Sequence, residues 1–268
     1  MRHRNSDSDA HKKPSARILA SAILPVIFAL TIAACSTATK PAATGSPEPN
    51  KASANTSSPD SAQIGSTSTS GDLAGTYAVN GAGADGKTYQ GEVVVTRHDA
   101  VYQMSWRLGA ENYDGVAVHS GNTLAAAFTT GTDGRGCGAI IYKRNADHSL
   151  DGKWGEWGVN SVGTEKATPA GEPSGGVRAF NLSGINANGS PYQGRLTINE
   201  VGNYVYQLAW DTGSKLAGTG VRMGDHLAAG WGPRQCGFVI YEVKGDTLEG
   251  RWGVPGLTSL GTEKAAKK

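Results

Sequence analysis

From residue 72 onward, apolar and polar side chains alternate with a period of two. Tyr89, Gly91, Val93 and Val95 fall on one side of an extended segment, and Gln90, Glu92, Val94 and Thr96 on the other. Tyr102, Met104, Trp106 and Leu108 share a face opposite Val101, Gln103, Ser105 and Arg107. This pattern sets one face on a core and the other in water, as in an antiparallel sheet. Turn signals separate the segments. Asp85-Gly86 and Asn188-Gly189 suit tight hairpins, and Gly121-Asn122, Gly224-Asp225, Asp147-His148-Ser149 and Gly245-Asp246-Thr247 mark further reversals. No helical stripe follows residue 71. The pattern predicts strands near 75–81, 89–97, 100–108, 114–119, 123–129, 138–144, 149–155 and 161–167. A second set is predicted near 178–184, 192–200, 203–211, 217–223, 226–232, 236–243, 247–253 and 258–264.

The second set repeats the first. Tyr89-Gln90-Gly91 returns as Tyr192-Gln193-Gly194, and Tyr102 to Trp106 as Tyr206 to Trp210, with Leu208 in place of Met104 and Ala209 in place of Ser105. Cys137-Gly138 returns as Cys236-Gly237, and Gly163-Thr164-Glu165-Lys166 as Gly261-Thr262-Glu263-Lys264. The order is kept and the offset stays between 98 and 104 residues. This is the signature of a duplicated folding unit. The expected domains are 72–169 and 174–268. Eight short hairpin-linked strands with one apolar face tend to close and so remove their edges. The expected fold is therefore all-β, with two tandem eight-stranded antiparallel meander barrels. A two-sheet sandwich is the alternative.

Gly75-Thr76-Tyr77 resembles the Gly-x-Trp opening of calycins such as avidins and lipocalins. The fuller pattern is Tyr-x-Gly, Tyr-x-x-x-Trp, Gly-Asn/Asp-x-Leu, Cys-Gly-x-x-x-Tyr, Leu-x-Gly-x-Trp and Gly-Thr-Glu. In the first copy it falls on Tyr89, Tyr102, Trp106, Gly121, Cys137, Tyr142, Leu150, Trp154 and Gly163 to Glu165. The second copy carries it on Tyr192, Tyr206, Trp210, Gly224, Cys236, Tyr241, Leu248, Trp252 and Gly261 to Glu263. It resembles a group of exported bacterial proteins often labelled fibronectin-binding. The resemblance implies the fold and brings no site residues with it.

The first 71 residues read differently. Arg2, Arg4, Lys12, Lys13 and Arg17 precede an uncharged apolar stretch from Ile18 to Ala34. At 1.5 Å per residue this stretch reaches only about 25 Å, which suits a signal peptide better than a permanent span. Ile32-Ala33-Ala34-Cys35 resembles the lipobox of bacterial lipoproteins, so cleavage is expected after residue 34 and acylation at Cys35. Ser36 to Gly71 is rich in Ser, Thr, Ala and Pro and poor in large apolar residues, the composition of a disordered tether. The expected address is the cell envelope, lipid-anchored. Ser36 favours the outer membrane if the cell has two.

Losing the leader takes five basic and two acidic residues from totals of 25 and 23, leaving 20 and 21 and a net charge of −1. No nucleic-acid partner is implied. Of the histidines after the leader (His98, His119, His148 and His226) none recurs between the copies, and no catalytic, cofactor or metal pattern emerges. The chain is therefore expected to be no enzyme. Candidate pocket-lining or core residues are Tyr102, Trp106, Trp154, Glu165, Tyr206, Trp210, Trp252 and Glu263. A carboxylate in both copies calls for a fixed partner, such as a Tyr hydroxyl or Trp N–H. Cys137 and Cys236 are read first as buried free thiols, with a disulfide between the units or an intermolecular bond as the alternatives. Trp157 has no counterpart and is a candidate exposed contact.

The leading functional expectation is a tethered module that displays its surface to extracellular matrix or an envelope macromolecule. A calycin-like carrier of a small apolar or aromatic ligand is the alternative, and a structural envelope lipoprotein the third reading.

Overall fold

A computed structural model describes residues 71–131, 133–232 and 236–268. The expected signal peptide, the acylated Cys35 and the tether to residue 70 lie outside the described residues.

The described residues form sixteen strands and no helix. The first copy supplies β1 (Gly75–Ala82), β2 (Thr88–His98), β3 (Val101–Leu108), β4 (Glu111–Ser120), β5 (Thr123–Thr130), β6 (Gly138–Arg144), β7 (Leu150–Glu156) and β8 (Gly163–Pro169). The second supplies β9 (Val177–Ile185), β10 (Pro191–Gly202), β11 (Val205–Asp211), β12 (Lys215–Met223), β13 (His226–Trp231), β14 (Gly237–Lys244), β15 (Thr247–Gly253) and β16 (Gly261–Lys267). Every pairing is antiparallel, and the strands close into two eight-stranded barrels as the alternation predicts.

The barrels do not coincide with the sequence copies. One barrel runs β1-β16-β15-β14-β5-β4-β3-β2, and the other β10-β11-β12-β13-β6-β7-β8-β9. Each copy gives five strands to one barrel and three to the other. The expectation that 72–169 and 174–268 each close on themselves is thus corrected: the copies exchange their last three strands. We call the barrels A (built on β1–β5) and B (built on β9–β13). The exchange passes through two crossovers, one between β5 and β6 and one between β13 and β14. Cys137 and Cys236 stand at the ends of these crossovers and are joined by a disulfide, with Cα atoms 5.9 Å apart. The free-thiol reading is thereby corrected. The crossovers approach closely enough that a Cβ on Gly232 would lie 1.8 Å from the Gly136 carbonyl oxygen, so only glycine fits there.

The inward faces make two cores. Barrel A closes around Tyr77, Val93, Met104, Trp106, Leu124, Tyr241 and Leu248; barrel B around Tyr142, Phe180, Leu196, Leu208, Trp210 and Leu227. A third core lies between the barrels, where Val116, Val118, Ala125, Ala127, Ala139, Ile141, Val221, Ala228, Phe238 and Ile240 pack from the outward faces of β4–β6 and β12–β14. The simple rule of one wet face fails for these strands. Small residues let the barrels approach: a Cβ on Gly230 of barrel B would sit 3.0 Å from the Ala127 methyl of barrel A. Trp157, expected to be exposed, packs against this third core and over Gly134.

Candidate functional site

In each barrel the recurring glutamate lies in a cross-strand row with two tyrosines and two glycines. In barrel A, Glu263 of β16 pairs with Gly81 of β1 on one side and Gly250 of β15 on the other. Gly81 pairs in turn with Tyr89, and Gly250 with Tyr241. Directly paired residues point to the same face of a sheet. A glycine leaves the surface beside the carboxylate bare, and the tyrosine one strand further lies down across it. A Cβ at Gly81 would meet the Tyr89 ring at 2.2 Å, and one at Gly250 would meet the Tyr241 ring at 2.5 Å. Both hydroxyls thereby reach Glu263: Tyr241 donates to Oε1 at 2.5 Å and Tyr89 to Oε2 at 2.9 Å. Trp106 of β3 adds an N–H to Oε1 at 3.1 Å.

Barrel B repeats the row as Tyr192, Gly184, Glu165, Gly152 and Tyr142. Tyr142 donates to Oε1 of Glu165, and Tyr192 donates to Oε2 at 2.6 Å. The Trp210 N–H divides between the Tyr142 hydroxyl, at 2.9 Å, and Oε1 of Glu165, at 3.3 Å. The expectation that each carboxylate meets tyrosine and tryptophan donors holds in both barrels. Every such cluster spans the exchange: Glu263 and Tyr241 come from the second copy, but Tyr89 and Trp106 from the first.

Burial, and then the adjacent carboxylate, push all four tyrosine hydroxyls above their usual range, so they stay protonated and donate. Burial also raises Glu263 above the ordinary carboxylate value, against the lowering effect of its three hydrogen bonds.

Above each row the barrel is hollow toward one end. Barrel A holds a cavity of about 210 Å³ with Glu263, Tyr241 and Tyr89 at its floor and Trp106, Phe128, Tyr113, Trp252, Leu108 and Val254 around it. Phe128 stands 5.7 Å from both the Trp106 and Tyr113 rings. The indole of Trp252 lies over Gly261 with its ring centroid 6.1 Å from that of Tyr89 in an edge-to-face arrangement, and its N–H is the only buried side-chain polar group without a hydrogen bond among the described residues. The corresponding N–H in barrel B, on Trp154, donates to the Tyr192 hydroxyl at 3.1 Å.

Barrel B holds a cavity of about 280 Å³ at the equivalent end, over Glu165 and between Trp154, Trp210 and Trp231. Its rim has diverged. The positions of Leu108, Glu111, Tyr113 and Val254 are taken by Thr212, Ser214, Leu216 and Glu156.

Of the sequence candidates, Trp106, Trp252 and Glu263 meet in one cavity, and Trp154, Trp210 and Glu165 in the other. Tyr102 and Tyr206 do not join them. Tyr102 is buried in the core of barrel A, and Tyr206 lies beside Arg178, Glu200 and Arg222 in a separate cleft. Tyr113, Leu108, Gly81 and Gly184 were not among the candidates. The two glycines could have been found from their position opposite a repeated tyrosine. Tyr113 and Leu108 carry no such signal, because Leu216 and Thr212 replace them in the second copy. Family models, characterised proteins and solved structures were all compared with this chain, and none matches.

Proposed function

We propose that this chain is an envelope-tethered, non-catalytic binding protein whose two barrels each take up a small molecule with an apolar or aromatic body. The observation that carries the reading is the paired cavity, at the same end of each barrel, walled by aromatic rings and floored by a hydrogen-bonded carboxylate. Small-ligand sites are typically concave, mostly apolar and provided with a few fixed polar groups. Each glutamate has its position set by three donors, two of them glycine-seated tyrosines, so the polar groups are pre-organised. The alternative named from the sequence, a small-ligand carrier, therefore takes precedence over display to a macromolecule. Export and acylation at Cys35 remain part of the proposal on the strength of the leader sequence.

Five of the six tryptophans border the two cavities, which makes intrinsic fluorescence a direct reporter. A screen of small apolar and aromatic compounds should quench or shift that emission saturably. Leu108→Trp, which fills the mouth of barrel A, should remove the part of the response due to that barrel. A flat response across the screen would refute the reading.

A further inference from the structure

The charge pattern of the two cavities narrows the ligand class. Glu111 and Glu263 line the cavity of barrel A, and Glu156 and Glu165 that of barrel B. No Lys, Arg or His stands among the described residues lining either one. The remaining walls are mostly aromatic in barrel A, and in barrel B Trp154, Tyr192, Trp210 and Trp231 share them with Asn186, Thr212, Ser214 and aliphatic side chains. In barrel B, Trp231 stands 6.1 Å from both Trp154 and Trp210, at interplanar angles of 79° and 52°, so three indoles turn different planes and edges toward one space. Barrel A presents Trp106, Phe128 and Tyr113 in the same way, with interplanar angles of 56° and 82°.

A ring face is the negative end of the aromatic quadrupole, and tryptophan gives the strongest attraction to a cation placed over it. An anion here would meet ring faces and two carboxylates with no compensating positive charge. A neutral ligand would draw no charge attraction from either the ring faces or the carboxylates. We infer that both cavities select small organic cations, an ammonium or quaternary ammonium head held among the rings above the glutamate with its apolar body toward the mouth. The inference rests on the proposed ligand-binding role and specifies its chemistry.

The two rims differ in a way that fits one head group with two kinds of tail. The mouth of barrel A is mostly apolar, with Leu108, Tyr113 and Val254 beside Glu111, whereas that of barrel B is mostly polar, with Thr212, Ser214 and Glu156 beside Leu216. The head-group floor is kept and the mouth varies.

The test compares matched probes on the purified full chain. Tryptophan fluorescence and calorimetry would follow titrations with tetramethylammonium, with choline, and with 3,3-dimethylbutan-1-ol, the neutral carbon isostere of choline. The cations should bind about tenfold or more tightly than the isostere, as aromatic cages with a nearby carboxylate do. Phe128→Leu removes a ring face from barrel A without touching the glutamate cluster, and Trp231→Leu does so in barrel B. Each should erase the preference for choline over its isostere in its own barrel. Glu263→Gln should weaken cation binding in barrel A and leave the isostere unaffected. Equal or tighter binding of the isostere would overturn the cation inference and leave the binding role standing. Saturation by none of the three probes, together with a flat response to the wider apolar screen, would overturn both.

Discussion

At the residue scale, Glu263 is the least replaceable side chain of barrel A. It is 7 % exposed and accepts from Tyr89, Tyr241 and Trp106. Glu263→Ala removes the acceptor from three donors and opens a hole, so a loss of about 2–4 kcal/mol in chemical denaturation is expected. Glu263→Gln keeps the shape and tests the charge. Burial raises the folded-state value of Glu263, so the native protein holds this proton to higher pH than the unfolded chain does. The group therefore favours folding least once the pH has risen above its folded value, and its penalty disappears as pH falls back toward the ordinary carboxylate value of 4.5. The stability of wild type relative to Glu263→Gln should accordingly fall as pH rises from 4.5. Denaturation midpoints of both proteins across that range check the sign, and parallel curves would contradict it. The glycine under Trp252 is a second sensitive point. A Cβ at Gly261 would sit 2.4 Å from the indole and 2.7 Å from the Ala82 carbonyl oxygen. Gly261→Ala should cost about 1–3 kcal/mol by overpacking and displace Trp252 toward the cavity, which its fluorescence would report.

At the scale of strands, alternation located the elements well. The predicted strand near 89–97 is β2, and the one near 247–253 is β15. Two features escaped the period-two reading. Val116 to Val118, Leu124 to Ala127, Ala139 to Tyr142 and Phe238 to Tyr241 are continuous apolar runs, the mark of strands buried on both faces, and they form the contact between barrels. The exchange itself is not legible in a duplicated sequence. In β14, Phe238 to Tyr241 offers β5 the same kind of partner that Ala139 to Tyr142 in β6 would, so the pattern cannot choose between β5–β6 and β5–β14. The recurrence of Glu165 and Glu263 did expose the hydrogen-bonded rows, because a carboxylate on an apolar face demands donors. The cavities above the rows depend on Tyr113, Leu108 and their replacements, which do not recur. The disulfide acts at this scale too. It links residues 99 apart and pins one crossover to the other. By the loop-entropy argument, reduction or a Cys137→Ser, Cys236→Ser double substitution should lower stability by about 4–5 kcal/mol. An unchanged denaturation midpoint with reductant present would show that the crossovers are held by packing alone.

At the scale of the whole molecule, the exchange makes the two copies mutually dependent. Four of the sixteen strand ladders join one copy to the other: β1–β16 and β5–β14 in barrel A, β6–β13 and β8–β9 in barrel B. Each barrel is thus sewn along two seams, and each glutamate cluster bridges one of them. The chain between β8 and β9 is exposed from Ala170 to Gly176 and contributes to neither cavity. A protease site placed at Glu172-Pro173 would sever the covalent path between the copies without touching a barrel core. Two self-contained barrels would then be joined only by the disulfide and their outer faces, and reduction should let them part. With exchanged strands, separation would require breaking all four ladders and opening the third core. The cut protein, reduced and kept under native conditions, should therefore elute as a single species of unchanged size, and denaturant should release two fragments in one cooperative step. Fragments that separate in reductant alone would mean that each copy closes its own barrel. In the exchanged arrangement neither cavity exists without both copies: in barrel A Tyr89 and Trp106 come from one and Tyr241, Trp252 and Glu263 from the other, and in barrel B Trp154 and Glu165 come from one and Tyr192 and Trp210 from the other.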